Sequence, residues 1–389
     1  IKPQNLAEMA LAVGAVRPGV GVNEGVTKLI RRRMGKEKVS YDHVLEKRAL
    51  ERTLGIILFQ DQVNQVAVSV AGFSEFQADQ LRRAFVRKNN HALIEIYWEK
   101  FRKGAQKNGI GTETAKKIFR KFNGQYMFPE SHAVAFGVTA FQMAWLKMYY
   151  PIEFYVALFN EQPMGYYGIE TLKEDAKRHQ VEVLHPDINR SGIKCTEEMG
   201  ALRLGLTYVS SITHVVAEKI MKAREQKNFV SLFKFLQKVP LKRDQVEKLV
   251  YAGAFDNINR DRRALLWEIG ICFSGLYDGI FVPQITQQTP KLKLMTSREE
   301  MEKEYHILKT YPNGHIMKHL RYHMPTEVKT TEQAKQLSHS QYVTVAGVVI
   351  RRQQPLSRAI FLTLEDEFGH VSLIVWPKIY RSLQNILES

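Results

Sequence analysis

Hydrophobic positions in the first 125 residues recur in short helical stripes separated by polar turns. Pro18, Gly19 and Gly21 mark a loop, and Gly25–Met34 then carries a basic face ending in Arg31, Arg32 and Arg33. Leu54–Val70 mixes apolar with amide residues. Gly72-Phe73-Ser74 follows it and sets a capping serine ahead of a helix through Arg83. Ile94–Gln106 is amphipathic, and Thr112–Phe122 repeats the pattern after the turn at Gly109-Ile110-Gly111. Pro129 and Ser131 open a long run of small and aromatic residues, which reads as a helix start with Ser131 as its cap. Pro151 breaks that run, and Pro163 and Gly165 end the helix that follows.

The pattern changes at Val181–Leu204, where brief strands are expected, including one in the segment 201–206. Helical spacing returns over 213–224 and 229–269. Residues 276–298, rich in Gln, Pro and Thr, read as a linker, and 299–325 as a helix-rich connector. From Tyr342 three β-rich runs appear, YVTVAGVVIRR, AIFLTLEDE and HVSLIVWP, the last two parted by a turn at Phe368-Gly369. No internal repeat with a fixed period is visible.

Composition places this 389-residue chain among ordinary soluble proteins, with 44% hydrophobic and 25% charged residues. Its net charge of +16 points to a polyanionic partner, with nucleic acid first and a membrane surface as the rival. The longest apolar stretch, Ala133–Phe141, is too short to span a bilayer. No secretory leader is visible at the start, and Cys195 and Cys272 lack CxxC spacing, so a cytoplasmic protein without disulfides or a zinc ribbon is expected. The start at Ile1 and the stop at Ser389 suggest a segment of something larger.

Charge clusters give the first candidate chemistry. Residues 28–38 hold Lys28, Arg31, Arg32, Arg33, Lys36 and Lys38 against Glu37 alone. Residues 100–121 hold eight cations, Lys116 and Lys117 among them, against Glu113 alone. Each such face is either a solvated helix surface or a phosphate-binding one, and their recurrence in so basic a chain favours nucleic acid. Arg82 and Arg83, followed by Arg87 and Lys88, cannot share one narrow helical stripe, yet their guanidinium forks can converge on a branched anion. His132 lies at the mouth of the apolar helix, where the dipole favours an anion. His315, His319 and His323 have the spacing of one helix face, either a metal site or a plain surface, and no carboxylate or Cys joins them in a recognised ligand pattern.

The run YMFPESHAVAFGVTAFQMAWLKMYYPIEFYVALFNEQPMGYY, residues 126–167, resembles the fingers region of the bacterial C-family DNA polymerases, the DNA polymerase III alpha subunits. Its tail, Gln162-Pro163-Met164-Gly165-Tyr166-Tyr167, is similar to the error-prone branch. The resemblance implies that Arg82 and Arg83, with Arg87 and Lys88, contact the phosphates of an incoming dNTP, although Val86 stands where the family often has glycine. It implies that Ser131 and His132, in the pattern opened by Phe128, lie beside the sugar and help exclude a 2′-hydroxyl. Arg17-Pro18-Gly19 matches a family turn whose last proline is replaced here by Val20, and Leu58–Gln62, with Gln60, resembles a segment that organises the nucleotide pocket.

The same resemblance implies a mainly α multidomain protein with helical fingers over 1–180 and a tandem helix-hairpin-helix region over 181–275. A linker and connector over 276–341 and a partial β OB-fold over 342–389 would follow. The hairpin elements fall on Leu204–Arg224 and Val239–Phe255. The first, Val209-Ser210-Ser211-Ile212, lacks the usual glycines, while the second keeps Lys242, Arg243, Lys248 and Gly253. Arg351, Arg352, Phe361 and Trp376 are the OB contacts implied for single-stranded DNA. No Asp-x-Asp occurs, and the Glu365-Asp366-Glu367 turn reads as solvated. The family's palm aspartates, and the Mg²⁺ they hold, are therefore expected outside this chain, which would bind primer-template DNA without extending it. A sliding clamp and other mutasome or replisome proteins are possible partners. The main replicative alpha subunit and a stand-alone non-catalytic DNA-binding protein are the alternatives.

Overall fold

A computed structural model describes residues 2–16, 25–86, 91–122, 128–274, 290–354 and 359–388. Arg17, Arg87, Lys88 and the expected linker as far as residue 289 lie outside the described residues. The architecture is mainly helical with small sheets, in two compact units, Ile1–Leu146 and Lys147–Ser389.

In the first unit α1 (Leu6–Ala15), α2 (Gly25–Arg33) and α3 (Val44–Leu50) precede α4 (Gln60–Ala71) and α5 (Glu75–Val86). Val63, Val66, Ala67 and Val70 of α4 stand at helical spacing and are all buried, so the stripe legible in the sequence is the face that packs. Gly72, at φ 66°, ends that helix. Ser74 then caps α5 as expected: its Oγ accepts from the Gln77 N–H at 3.2 Å, and Gln77 Oε1 accepts from the Ser74 N–H at 3.0 Å.

Helices α6 (His91–Lys107) and α7 (Thr112–Arg120) bring Phe101, Phe119 and Phe122 together with ring centroids 5.3–5.6 Å apart. Gly104 is what lets α6 approach α4, because a Cβ there would stand 1.9 Å from the Ala71 carbonyl oxygen. The apolar helix α8 (Glu130–Tyr149) follows; only Ala133 and Gly137 of it are buried, while Phe136 and Phe141 are exposed.

The second unit opens with α9 (Pro151–Asn160) and α10 (Ile169–Arg178). A three-stranded sheet follows, β1 (Val183–Leu184), β2 (Thr196–Glu198) and β3 (Ala201–Arg203), in the order β1-β3-β2. Helices α11 (His214–Arg224), α12 (Leu232–Lys238), α13 (Arg243–Tyr251), α14 (Arg262–Ser274) and α15 (Ser297–Leu308) follow. Tyr155, Phe159, Leu172 and Ala176 share one core cluster with Leu202, Phe235, Leu249 and Leu308. By packing, therefore, α9 and α10 go with the residues after 180 and not with the fingers to which the sequence assigns them. Helix periodicity cannot reveal which of two cores a stripe will join.

Beyond α16 (Ile316–Arg321), β4 (Val328–Lys329), α17 (Thr331–Lys335) and β5 (Thr344–Val345) lie β6 (Val348–Gln353), β7 (Ile360–Asp366) and β8 (Gly369–Val375), which form an antiparallel meander ahead of α18 (Pro377–Glu388). The run YVTVAGVVIRR, expected as one strand, is two. Thr344–Val345 pairs with β4, and Val348 onward pairs with β7. Gly347 sits at the break, where a Cβ would come within 2.8 Å of the Glu365 carbonyl oxygen.

The acidic turn is not solvated. Glu365 and Asp366 are fully buried. Asp366 accepts from the Thr331 hydroxyl at 2.6 Å and from the N–H groups of Thr331, Phe368 and Gly369 at 2.8–3.1 Å. Burial works to raise its pKa, but these donors hold the carboxyl below the ordinary range. Arg321 pairs with Glu367 at 2.5 Å and with Asp366 at 3.1 Å, and Arg178 reaches Glu365 at 3.0 Å. A turn of three acids attracts cations from α10 and α16, and that pairing is what makes its burial tolerable.

Candidate nucleotide and nucleic-acid interface

The start of α4 is the hub of the candidate nucleotide site. The Gln60 N–H donates to the Phe128 carbonyl at 3.0 Å, and Asp61 Oδ2 accepts from the Glu130 N–H at 2.7 Å. Asp61 thus supplies the cap of α8, the role expected of Ser131, which instead lies exposed inside the first turn. A carboxylate 69 residues upstream outcompetes the local hydroxyl because it arrives with the correct reach and a full charge at the positive helix end. His132 is exposed, with its ring edge-on to Phe128 at 4.9 Å and to Phe136 at 4.6 Å.

Gln62 turns inward and is fully buried. It accepts from the N–H groups of Leu58 and Phe59 and donates to Ala49 and Thr53, so its work is structural. Gln60 faces the other way, and its Oε1 accepts from Arg82 Nη1 at 3.1 Å. Arg82 also donates through Nη2 to Asp79 Oδ1 at 2.5 Å, and Arg83 Nε donates to Asp79 Oδ2 at 2.7 Å. The two adjacent arginines lie off any single stripe, yet both reach back one turn to the same carboxylate. The hydrogen bond from Arg82 is the largest of the effects holding Asp79 below the usual carboxylate range. Sequence reasoning misses Asp79, although its i−3 and i−4 spacing to the arginines is a legible signal.

The basic clusters divide. Arg31, Lys116 and Lys117 are exposed. Arg32 is drawn inward, donating to the Leu54 carbonyl at 2.6 Å and to Glu37 at 3.0 Å, and Arg33 pairs with Glu8 at 2.6 Å. With Arg52, which meets Glu130 at 2.7 Å, these two arginines line a cavity of about 720 Å³. Their charges are already answered, so of the three adjacent arginines only Arg31 remains a plain solvent-facing cation.

In the hairpin region Thr213 caps α11, and Ser211, at φ 73°, takes the left-handed conformation that a glycine usually supplies. Its carbonyl accepts from Gln245 Nε2 at 3.1 Å, which ties the first turn to the start of α13. Lys242 and Arg243 are exposed there, Arg243 pairing with Glu247 at 2.7 Å. Gly253, at φ 78°, follows the end of α13.

On the meander, Arg351 pairs with Thr363, and Phe361 pairs with Gln353 and Ile374, so Arg351 and Phe361 share a face with the parity of Trp376. Arg352 pairs with Leu362 and so stands on the opposite face. One residue of offset separates two arginines that look equivalent in the sequence. The Arg351 guanidinium lies 5.7 Å from the ring centroid of Tyr166.

The three histidines do not share a helix face. His315 is the buried cap of the six-residue α16, accepting from the Met317 N–H at 3.1 Å, and His323 follows the helix end. Among the described residues no three His, Cys, Asp or Glu side chains converge as a metal-holding group. Among the same residues no helix is long and apolar enough to cross a membrane.

Residues 1–109 match the family model of the bacterial DNA polymerase III alpha subunit finger domain, and residues 180–265 match that of a helix-hairpin-helix motif. Over 97% of its length the chain is 34% identical to the error-prone DNA polymerase of Methylococcus capsulatus, of which it covers 39%. Over its whole length it is 33% identical to that of Cutibacterium acnes and 32% identical to that of Pseudomonas paraeruginosa, again covering 39% of each. It thus spans about two fifths of the length of the curated relatives it matches. The finger-domain match over α1 to α6, the hairpin match over 180–265 within the second unit and relatives that align along the entire chain agree with one another, and the chain belongs to the C family of bacterial DNA polymerases.

Proposed function

We propose that these residues form the nucleotide- and DNA-gripping part of an error-prone, DNA-directed DNA polymerase, a nucleotidyltransferase of the cytoplasm. The supporting observation is the hub at α4, whose first residue is bonded both to Arg82 and to the carbonyl just before α8. An incoming dNTP would offer phosphate oxygens to the forks of Arg82 and Arg83, displacing part of their hold on Asp79. Ser131 and His132, exposed at the positive end of α8, would face the sugar, where the imidazole leaves no room for a 2′-hydroxyl. Arg17, Arg87 and Lys88 would add to the phosphate grip.

The duplex would be held by phosphate contacts from Arg31, Lys116, Lys117, Lys242 and Arg243, and by the helix starts that Ser211 and Gln245 tie together. Residues 342–389 would be the OB part, reading single-stranded DNA with Arg351, Phe361 and Trp376. Mg²⁺ would neutralise phosphate charge from carboxylates outside these residues, so binding and selection are the share of the reaction assigned here. A sliding clamp and other replication proteins would act as partners of the whole polymerase.

The reading is tested by fluorescence anisotropy of a labelled primer-template across a salt series. Wild-type chain should bind with a steep salt dependence. Lys116→Ala with Lys117→Ala should lower the slope of log K against log salt by about 1.8, or about 0.9 for each phosphate no longer neutralised. A salt-independent or absent interaction refutes the DNA grip. In parallel, His132→Ala should bring dNTP and NTP affinities closer together, and an unchanged preference removes His132 from sugar selection.

A further inference from the structure

A second cavity, of about 930 Å³, lies in the second unit where the segment 162–169 meets the first hairpin and the end of α15. That volume is in the range of small-ligand clefts and admits a nucleotide. Tyr166, Tyr167, Lys194, Thr207, Ser210 and Lys309 supply its aromatic, cationic and hydroxyl lining. Its floor is tied by hydrogen bonds: Asn160 exchanges two with Cys195 at 2.8 and 3.0 Å, and the Tyr208 hydroxyl donates to the Phe159 carbonyl at 2.5 Å. Gly165, at φ 65°, shapes the rim, since a Cβ there would lie 3.0 Å from the Tyr167 ring.

The chemistry of the lining identifies its occupant. Two exposed phenol rings beside two exposed ammonium groups suit a base with its phosphates, and among the described residues no carboxylate lines the cavity. Among the described residues Lys194 makes a long 3.7 Å contact with the exposed Glu161, and Lys309 donates to the His306 carbonyl at 3.0 Å. Tyr166 is still 83% exposed with the Arg351 guanidinium beside it, so ring surface remains for stacking. Through Arg351 the cavity adjoins the sheet face that carries Phe361.

We propose that this cavity takes an unpaired nucleotide of single-stranded DNA, its base stacked on Tyr166 or Tyr167 and its phosphates met by Lys194 and Lys309, as a single-strand subsite continuous with the Arg351 face. The proposal deepens the DNA-binding reading above and rests on it.

The test is anisotropy of fluorescent dT12 with the full chain, alongside competition by dTMP and by a blunt duplex. At least one of Tyr166→Ala and Tyr167→Ala should weaken dT12 about tenfold, while Tyr166→Phe and Tyr167→Phe stay within about twofold. Lys194→Ala with Lys309→Ala should reduce the salt slope by about 1.4. Melting curves matching wild type confirm that the variants fold. If folded Tyr166→Ala and Tyr167→Ala bind dT12 as wild type does, this subsite is refuted while the DNA grip stands. If wild type binds neither dT12 nor duplex, both fail. If dTMP competes as tightly per molecule as dT12, the cavity serves free nucleotides and the strand assignment is overturned.

Discussion

The carboxylate of Asp79 grips the guanidinium of Arg82, its Oδ1 accepting from Nη2 at 2.5 Å and from Nε at 3.2 Å. The same carboxylate takes Arg83 on its other oxygen, so one acid pre-orients two forks on the exposed side of α5. Arg82→Ala should weaken dNTP binding about tenfold or more. Arg82→Lys should rescue little of it, because an ammonium cannot bridge Gln60 and a phosphate as a planar fork does. Arg83→Ala should shift folding stability by less than about 0.5 kcal/mol, since its pairing is solvent-exposed. Nucleotide titration and urea unfolding of the same samples separate the two effects.

Asp61 caps a helix that begins in a distant part of the chain. Asp61→Ala should lower stability by about 1 kcal/mol, and Asp61→Asn by less, because an amide oxygen can still accept the Glu130 N–H. Equal losses in the two variants would mean that the charge, and not the hydrogen bond, carries the cap. Urea midpoints at constant m-value decide it.

Arg262, only 2% exposed on its side chain, stands between Asp256 and the fully buried Glu304, each at 2.7 Å. Glu304 also meets His185 at 2.9 Å. Arg262→Met should cost about 3–5 kcal/mol, because it strands the Glu304 carboxylate without its main counter-charge. Adding Glu304→Gln should recover part of that loss, and a double variant no more stable than the single one contradicts the account.

Burial pushes the Glu365 carboxyl up to about 7, while Arg178 pulls the other way and falls short. A carboxyl raised on folding binds its proton more tightly in the native state. Its favourable contribution is therefore complete below about pH 4.5 and fades as pH rises through about 7. The stability difference between wild type and Glu365→Gln should shift against wild type by on the order of 2–3 kcal/mol between pH 5 and 8. A difference that stays flat over that window refutes the raised pKa.

Much of the first unit was legible because its signals are local. The α4 stripe and the Ser74 cap each depend on residues within a turn or two, and each formed as expected. The basic clusters were legible as composition, yet Arg31 and Arg32, one residue apart, have different fates. Nothing local distinguishes an arginine facing solvent from one drawn to the Leu54 carbonyl 22 residues away. The acidic turn misled for the same reason. Three adjacent acids look solvated until Thr331, Arg178 and Arg321 arrive from elsewhere.

By itself the amino-acid sequence determined the helical stripes, their starts and stops, the β-rich end, the cationic character and the family, because these follow from residue type and from spacing within a few turns. Tertiary structure alone decided that Asp61 caps α8, that α9 and α10 join the second core, that Arg351 and Arg352 face opposite ways, and that Tyr166 and Tyr167 line a cavity. Those outcomes are pairings between residues far apart in the chain. Burial and charge pairing are settled by what arrives from a distance, and local periodicity carries no record of it.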